Sequence, residues 1–262
     1  MNLPETLEPG VLCFRCNLCG ELSLVPAENL GRELQSCSSC SSTSRERAII
    51  RALSLGLFGT VLPLPDFPVR PDLRGFGMSD SGRYATRLAE KLGYQNTFYH
   101  KEPRVDVGAE ALPPDLVENA DFIISSEVFE HVLPPVARAF DNVYKMLKPG
   151  GLFVLTVPYG LHATTIEHFP DLHDFTLIDR PGTPPRLRNV TREGEVQEFD
   201  DVVLHIGDGS TLEMRVFAEA DLLQHLTAAG FEAIQVHRTP DFRHGVWWPE
   251  PCSLPITARK PA

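Results

Sequence analysis

The 262-residue sequence predicts an α/β fold built on a parallel sheet, with a small cysteine-rich module before it and a β-rich insertion late in the chain. Three observations carry that prediction. The first is the stretch from Asp121 to Tyr159, DFIISSEVFEHVLPPVARAFDNVYKMLKPGGLFVLTVPY, which reads as strand, helix, strand. An apolar run, Phe122-Ile123-Ile124, leads to Ser125-Ser126-Glu127, and a second apolar run spans Leu152 to Val157. Between them Val136, Phe140, Val143 and Leu147 recur at helical spacing, Pro134 and Pro135 suit a first turn, and Gly150-Gly151 suits a stop. A crossover of this length joins parallel strands. The second observation is two close cysteine pairs, Cys16-x2-Cys19 and Cys37-x2-Cys40. The third is the segment 160–217, where strict strand–helix alternation gives way to hairpin patterns.

Composition sets the outer limits. A 42% apolar content supports a folded core. With 35 acidic against 24 basic residues the formal charge is −11, which disfavours nucleic acid and anionic membranes as partners. No run reaches the ~20 apolar residues of a membrane helix, and Met1 to Gly10 shows neither the basic start nor the apolar stretch of a signal peptide. A cytoplasmic location is expected.

In chain order, residues 1–43 read as a zinc ribbon. Two C-x2-C pairs at this separation match a paired-knuckle site, with Cys16, Cys19, Cys37 and Cys40 as ligands. Cys13-x2-Cys16 is a second legal pair, and Gly20, which eases the turn after Cys19, favours the first. So small a module needs a metal to fold. Residues 44–70 read as a linker helix, with Ile49, Ile50 and Leu53 on one side, and a proline-rich extended linker. Residues 71–262 read as the main domain. Leu73 to Gly93 supplies the first strand, a loop Gly75 to Gly82, and a helix carrying Tyr84, Leu88 and Leu92. Gln95 to His100 reads as the second strand. Hairpin turns are expected at Glu193-Gly194 and Gly207-Asp208-Gly209, then a helix from Ala218 to Ala229 and strands at Phe231–His237 and Leu254–Arg259, the last antiparallel.

The run SSEVFEHV…LKPGGLFVLTVPY resembles the central strand–helix–strand of class I S-adenosylmethionine-dependent methyltransferases, the type 11 group in particular. The resemblance implies a Rossmann-like seven-stranded sheet and S-adenosylmethionine as methyl donor. In that family a glycine-rich loop after the first strand bends around the donor. Here Met78 and Asp80 stand at two of its glycine positions and Phe76 at its acidic one. The resemblance implies donor contacts from Gly77, Ser79, Asp80 and Ser126, and an adenine contact from Asp106. It implies a ribose-binding carboxylate after the second strand. The alignment points to His100; Glu102, two residues on, has the right chemistry.

Insertions after the fifth strand cover the acceptor in such enzymes, which assigns 160–217 to the acceptor side. His131, Glu127, Tyr159 and His168 are the candidate catalytic residues, with His162 and His173 nearby; a base is needed where the acceptor must lose a proton. Glu127, Glu130 and His131 also resemble the cation ligands of metal-dependent O-methyltransferases, with His168 or His173 as a further ligand. That would add Mg2+ or Mn2+ to the structural Zn2+. The expected function is methylation, on oxygen, of a small-molecule or carrier-bound metabolite. The alternatives are an inactive methyltransferase-fold interaction protein carrying a zinc ribbon, suggested by the degenerate glycine loop, and an RNA methyltransferase guided by the ribbon.

Overall fold

The computed structural model describes residues 10–207 and 209–262. Residues 1–9 of the expected ribbon, and with them nearly all of the segment read for a leader, lie outside these, as does Asp208 of the expected Gly207-Asp208-Gly209 turn.

The cysteine module opens with an antiparallel hairpin, β1 (Val11–Arg15) and β2 (Leu22–Pro26). The helix α1 (Ser44–Phe58) follows the second cysteine pair. Thr43 caps it, accepting from the Glu46 amide while the Glu46 carboxylate accepts from the Thr43 amide. The chain then alternates through β3 (Arg70–Met78), α2 (Gly82–Lys91), β4 (Leu92–Thr97), β5 (Ala120–Ser126), α3 (Ala137–Met146) and β6 (Leu147–Thr156). The insertion holds β7 (Tyr159–Gly160), β8 (Ile166–Glu167), β9 (Asp174–Arg180), β10 (Thr183–Val190), β11 (Val196–Phe199), β12 (Leu204–Gly207), β13 (Gly209–Leu212) and β14 (Arg215–Ala218). Helix α4 (Glu219–Ala228) and strands β15 (Glu232–Val236) and β16 (Ile256–Arg259) complete the chain.

The main sheet runs β15-β16-β6-β5-β3-β4. The pairs β4–β3, β3–β5 and β5–β6 are parallel, while β16 is antiparallel to both β6 and β15. This is the Rossmann-like methyltransferase sheet with six hydrogen-bonded strands among the described residues, one fewer than expected. The reason lies between Thr97 and Ala120. That connection contains Pro103, Pro113 and Pro114 and no apolar run, so it cannot build another strand beside β4. The second strand also begins and ends earlier than its sequence suggests. Gly93 reads as a helix stop, yet it lies inside β4, where an added Cβ would come within 2.5 Å of the Pro71 carbonyl.

Strand alternation divides the core into two layers. Ile123, Phe153 and Leu155 face α3 and α4 with Phe140, Val143, Leu222 and Leu226. Phe122, Ile124, Leu152 and Val154 face the other way, into one apolar cluster with Ile49, Ile50 and Leu53 of α1, Leu88 of α2, and Phe14, Cys16, Leu18 and Val25 of the cysteine module. So α1 is a layer of the sheet domain rather than a tether: Gly56 is where it passes Leu152, and a Cβ there would overlap that side chain.

A buried guanidinium fastens the module. Arg47 has 0% exposure, and its Nε and Nη2 donate to the Gly245 carbonyl at 3.0 and 2.8 Å. Nη1 donates to the Ser42 carbonyl at 2.6 Å and Nη2 to Ser36 Oγ at 2.6 Å, and the group lies 4.7 Å from the Phe14 ring centroid. Replacing it with an apolar side chain strands several buried acceptors at once. Arg47→Met is expected to lower unfolding free energy by about 3 kcal/mol or more in urea titration.

Candidate active site at the strand ends

Parallel sheets place ligand sites at the carboxyl ends of their strands. Here those ends open into a cavity of about 450 Å3. Its floor comes from Met78 and Ser79 after β3, Thr97 to His100 after β4, and Glu127 and Val128 after β5. The loop from Val105 to Gly108 forms one wall; Asn142 of α3 holds it by donating to the carbonyls of Val107 and Ala109 at 2.8 and 2.9 Å. The insertion forms the roof with Phe175 and Leu177 of β9, Thr211 and Leu212 of β13, and Met214. His131, Val132 and Leu133 complete the lining.

Two turns off the sheet have left-handed backbone at residues other than glycine, Ser79 at φ 58° and Glu127 at φ 56°. Each costs about 1 kcal/mol and redirects the chain sharply at a strand end. At the first turn the left-handed residue is Ser79, not Met78 or Asp80, the positions expected to carry glycine. Asp80 N donates to Asn96 Oδ1 at 2.9 Å, and Asn96 Nδ2 returns to the Asp80 carbonyl at 2.9 Å. The Asp80 side chain turns inward and accepts from Tyr94 Oη at 2.6 Å. Gly77 makes room for that pair, since a Cβ there would overlap both Tyr94 Oη and Asp80 Oδ2.

At the second turn the chain forms a short 3-10 turn, Phe129–His131, rather than entering a helix. The three polar side chains therefore do not converge on one point: Glu127 turns to Arg32, while Glu130 Oε1 lies 3.7 Å from His131 Nε2. Glu127 faces the cavity and is gripped by Arg32, whose Nη1 and Nη2 donate to Oε2 and Oε1 at 3.0 and 2.7 Å. Burial opposes the Glu127 charge, but Arg32 prevails and holds the carboxyl below its ordinary value. Glu130 points into the interior with 0% exposure and neither carboxyl oxygen hydrogen-bonded; burial, and then the Glu127 charge, push its pKa well up. His131 lines the cavity with Nδ1 2.8 Å from the Leu212 carbonyl. A carbonyl only accepts, so Nδ1 carries a proton there, and Nε2 lies 3.7 Å from Glu130 Oε1.

Of the expected donor contacts, Ser79 and Asp106 line the cavity, and Asp106 Oδ1 accepts from Gly108 N at 2.9 Å. Gly77 and Asp80 lie beneath the floor. Ser126 lies behind it, its Oγ taking hydrogen bonds from Arg45 and from Thr156 Oγ1. Glu102 is exposed and caps its own turn, accepting from Arg104 N at 2.9 Å. His100 is the residue of that segment that lines the cavity, because β4 ends at Thr97. Of the expected catalytic residues, His131 and Glu127 line it. Tyr159 does not: it is buried at 2% exposure, with its backbone tied to Ser253 Oγ. His168 is on the far side of the insertion, 3.2 Å from Glu213, and His173 donates its amide to Asn189 Oδ1. The expected Mg2+ or Mn2+ site is not assembled. The Glu127 carboxylate is held by Arg32, Glu130 points away, and among the described residues the four cysteines are the metal-ligand group that converges.

Sequence reasoning missed Arg32, Arg45 and the apolar roof. One signal for the arginines was local. Arg45 and Arg47 sit in the first turn of α1, where the helix dipole repels cations, so each needs a partner from elsewhere. Arg45 finds Glu33, at 2.6 and 2.8 Å, and Ser126.

At the cysteine module, Cys16 Sγ lies 3.7 Å from Cys40 Sγ and Cys19 Sγ 3.7 Å from Cys37 Sγ. Four thiolates at Zn–S of about 2.3 Å form a tetrahedron with edges of about 3.8 Å. The donor set and its size therefore fit zinc; Cys13, partnered across the hairpin to Leu24, is outside it.

Burial raises the Asp80 carboxyl to about 7 against the opposing hydrogen bond from Tyr94. A folded-state value above the unfolded one favours the folded state at low pH, and that contribution fades as pH rises through about 7. Asp80→Asn should remove this slope. Relative to the parent it should gain about 2 kcal/mol between pH 5 and pH 8, read from urea titrations at both values.

Comparison with known proteins completes the assignment. No curated protein matches the sequence. Among solved structures, the chain is similar to an S-adenosylmethionine-dependent methyltransferase from Mesorhizobium loti at 16% identity, covering 84% of this chain and 100% of that one, with a TM-score of 0.39. It is similar to 1,6-didemethyltoxoflavin-N1-methyltransferase of Burkholderia thailandensis at 16% identity, covering 82% and 79%, TM-score 0.40. It is also similar to CalS10, an amino pentose methyltransferase from Micromonospora echinaspora, at 14% identity, covering 84% and 92%, TM-score 0.42. The family model described as a methyltransferase domain matches residues 74–236, which contain the end of β3, all of β4, β5 and β6, and every residue of the cavity lining. The chain belongs to that family, and it is a class I S-adenosylmethionine-dependent methyltransferase.

Proposed function

We propose that the protein methylates an oxygen of a small-molecule acceptor with an apolar body, free or presented on a carrier, and that His131 is the base. The observation that carries this reading is a largely apolar cavity at the strand ends with a few polar side chains in its lining. Ser79, His100, Asp106 and Glu127 are polar members of that lining, set among Met78, Phe98, Tyr99 and Val105. Val132, Leu133, Phe175, Leu177, Leu212 and Met214 extend the apolar lining beside His131. The donor supplies an electrophilic methyl on its sulfonium. The chain's own part is to hold the two partners in line, which is worth several kcal/mol, and to take a proton from the acceptor. Ser79 and Asp106 would hold the donor. His131 would accept the proton at Nε2 while Leu212 keeps Nδ1 protonated. An acceptor whose proton must be removed during transfer suits a hydroxyl. A roof of apolar side chains supports a metabolite over an RNA acceptor, for which the charge of −11 is also unsuited.

Zinc held by Cys16, Cys19, Cys37 and Cys40 would serve structure, since four protein ligands leave no open position for chemistry. Cys37→Ser should lose bound zinc, read by elemental analysis, and should lower the melting temperature; unchanged zinc content would refute the ligand set. For function, His131→Gln should bind S-adenosylhomocysteine within about threefold of the parent by calorimetry. It should transfer labelled methyl to metabolite extracts about 100-fold more slowly, the usual loss for a general base. Equal rates would remove His131 from that role.

A further inference from the structure

The Arg32–Glu127 pair joins the two parts of the molecule at the cavity. Arg32 lies between the two cysteine pairs, 95 positions from Glu127, and meets it with a two-pronged grip. Its other contacts lock the guanidinium in place. Nε donates to the Ser253 carbonyl at 3.1 Å, and Nη1 also reaches Glu33 Oε1 at 2.6 Å. The Arg32 carbonyl accepts from the Arg45 amide at 3.0 Å, so the start of α1 fixes the backbone as well. Arg32 is not part of the cavity lining; Glu127 is. The grip therefore comes from behind the wall and leaves the carboxylate facing ligand.

The methyl donor's amino-acid end carries an ammonium group beside its sulfonium. Asp106 is the other carboxylate in the lining, and it belongs to the loop after β4 rather than to the turn after β5. We infer that Arg32 is a positioning residue for donor binding: from the cysteine module it holds the Glu127 carboxylate against the cavity, where that carboxylate receives the donor's ammonium group. The inference rests on the methyltransferase reading of the cavity. It gives the cysteine module a part in the reaction site that the family domain alone, residues 74–236, does not contain.

The test compares two probes. S-Adenosylhomocysteine keeps the amino-acid end; 5′-methylthioadenosine lacks it. Calorimetry on the full-length parent must first show S-adenosylhomocysteine binding, and its absence would overturn the cavity reading itself. Given binding, Arg32→Gln is expected to weaken S-adenosylhomocysteine about tenfold or more, the scale of one lost charged hydrogen bond. Methylthioadenosine affinity and zinc content should be unchanged. Arg32→Lys, which keeps the charge but loses the fork, should fall between parent and Arg32→Gln. Glu127→Gln should match Arg32→Gln, and the double variant should lose no more than either alone. Unaltered S-adenosylhomocysteine affinity in Arg32→Gln would overturn the inference. So would equal loss of both probes, which marks general damage, or additive loss in the double variant, which marks direct contact between Arg32 and the donor.

Discussion

The structure depends on Arg47. A guanidinium with no exposure is costly to bury, and among the described residues its hydrogen bonds go to hydroxyls and carbonyls rather than to a carboxylate. Its compensation has two parts. Serine hydroxyls and backbone carbonyls from the cysteine module and from Gly245 take its protons. The cysteine cluster supplies the charge: burial lowers the Arg47 pKa, while Cys16, Cys37 and Cys40 act in the opposite direction. Zinc held by four thiolates is a net anion, so a fixed cation beside it suits both groups. Module, helix α1 and the C-terminal loop are thus one polar junction set into a continuous apolar core.

The strand ends show how placement decides the chemistry of identical side chains. Glu127 and Glu130 stand three positions apart and are both withdrawn from water. One meets a bidentate arginine and is held below its ordinary pKa; the other meets no hydrogen-bond donor and is pushed well above it. The difference comes from the left-handed turn at Glu127, which sends the first carboxylate toward the module and the second toward the interior. Two carboxyls three positions apart are thus shifted in opposite directions, Glu127 down and Glu130 up.

What was legible in the sequence was local or periodic. The central strand–helix–strand, the cysteine pairs and the helix α4 each carry their signal within one continuous stretch of chain. Glu127 and His131 could be placed at the cavity because they follow a strand with a clear apolar run, whereas Ser79 and Asp106 came from the family resemblance. Glu102 could not be placed correctly, because β4 reads LGYQNT, a mixed strand whose end no hydrophobic pattern marks. Tyr159 was misread because the chain after β6 turns to pair with β14 and buries the ring instead of presenting it. The roof and the arginines escaped for a different reason. Phe175 and Leu177 belong to an insertion with its own small sheet, and Arg32, Arg45 and Arg47 find partners 81 to 198 positions away.

The distance from Arg47 to Gly245 also sets an order of events during synthesis. Arg47 of the module's junction leaves the ribosome well before its anchor, which follows 198 residues later. At roughly 5–20 residues per second the wait is on the order of 10–40 s. Through that interval a nascent module can bind metal, yet its arginine lacks the carbonyl that completes its shell, and the apolar side of α1 lacks the sheet it packs on. The earlier segment therefore waits on the later one, and the growing chain carries an open seam until Gly245 emerges.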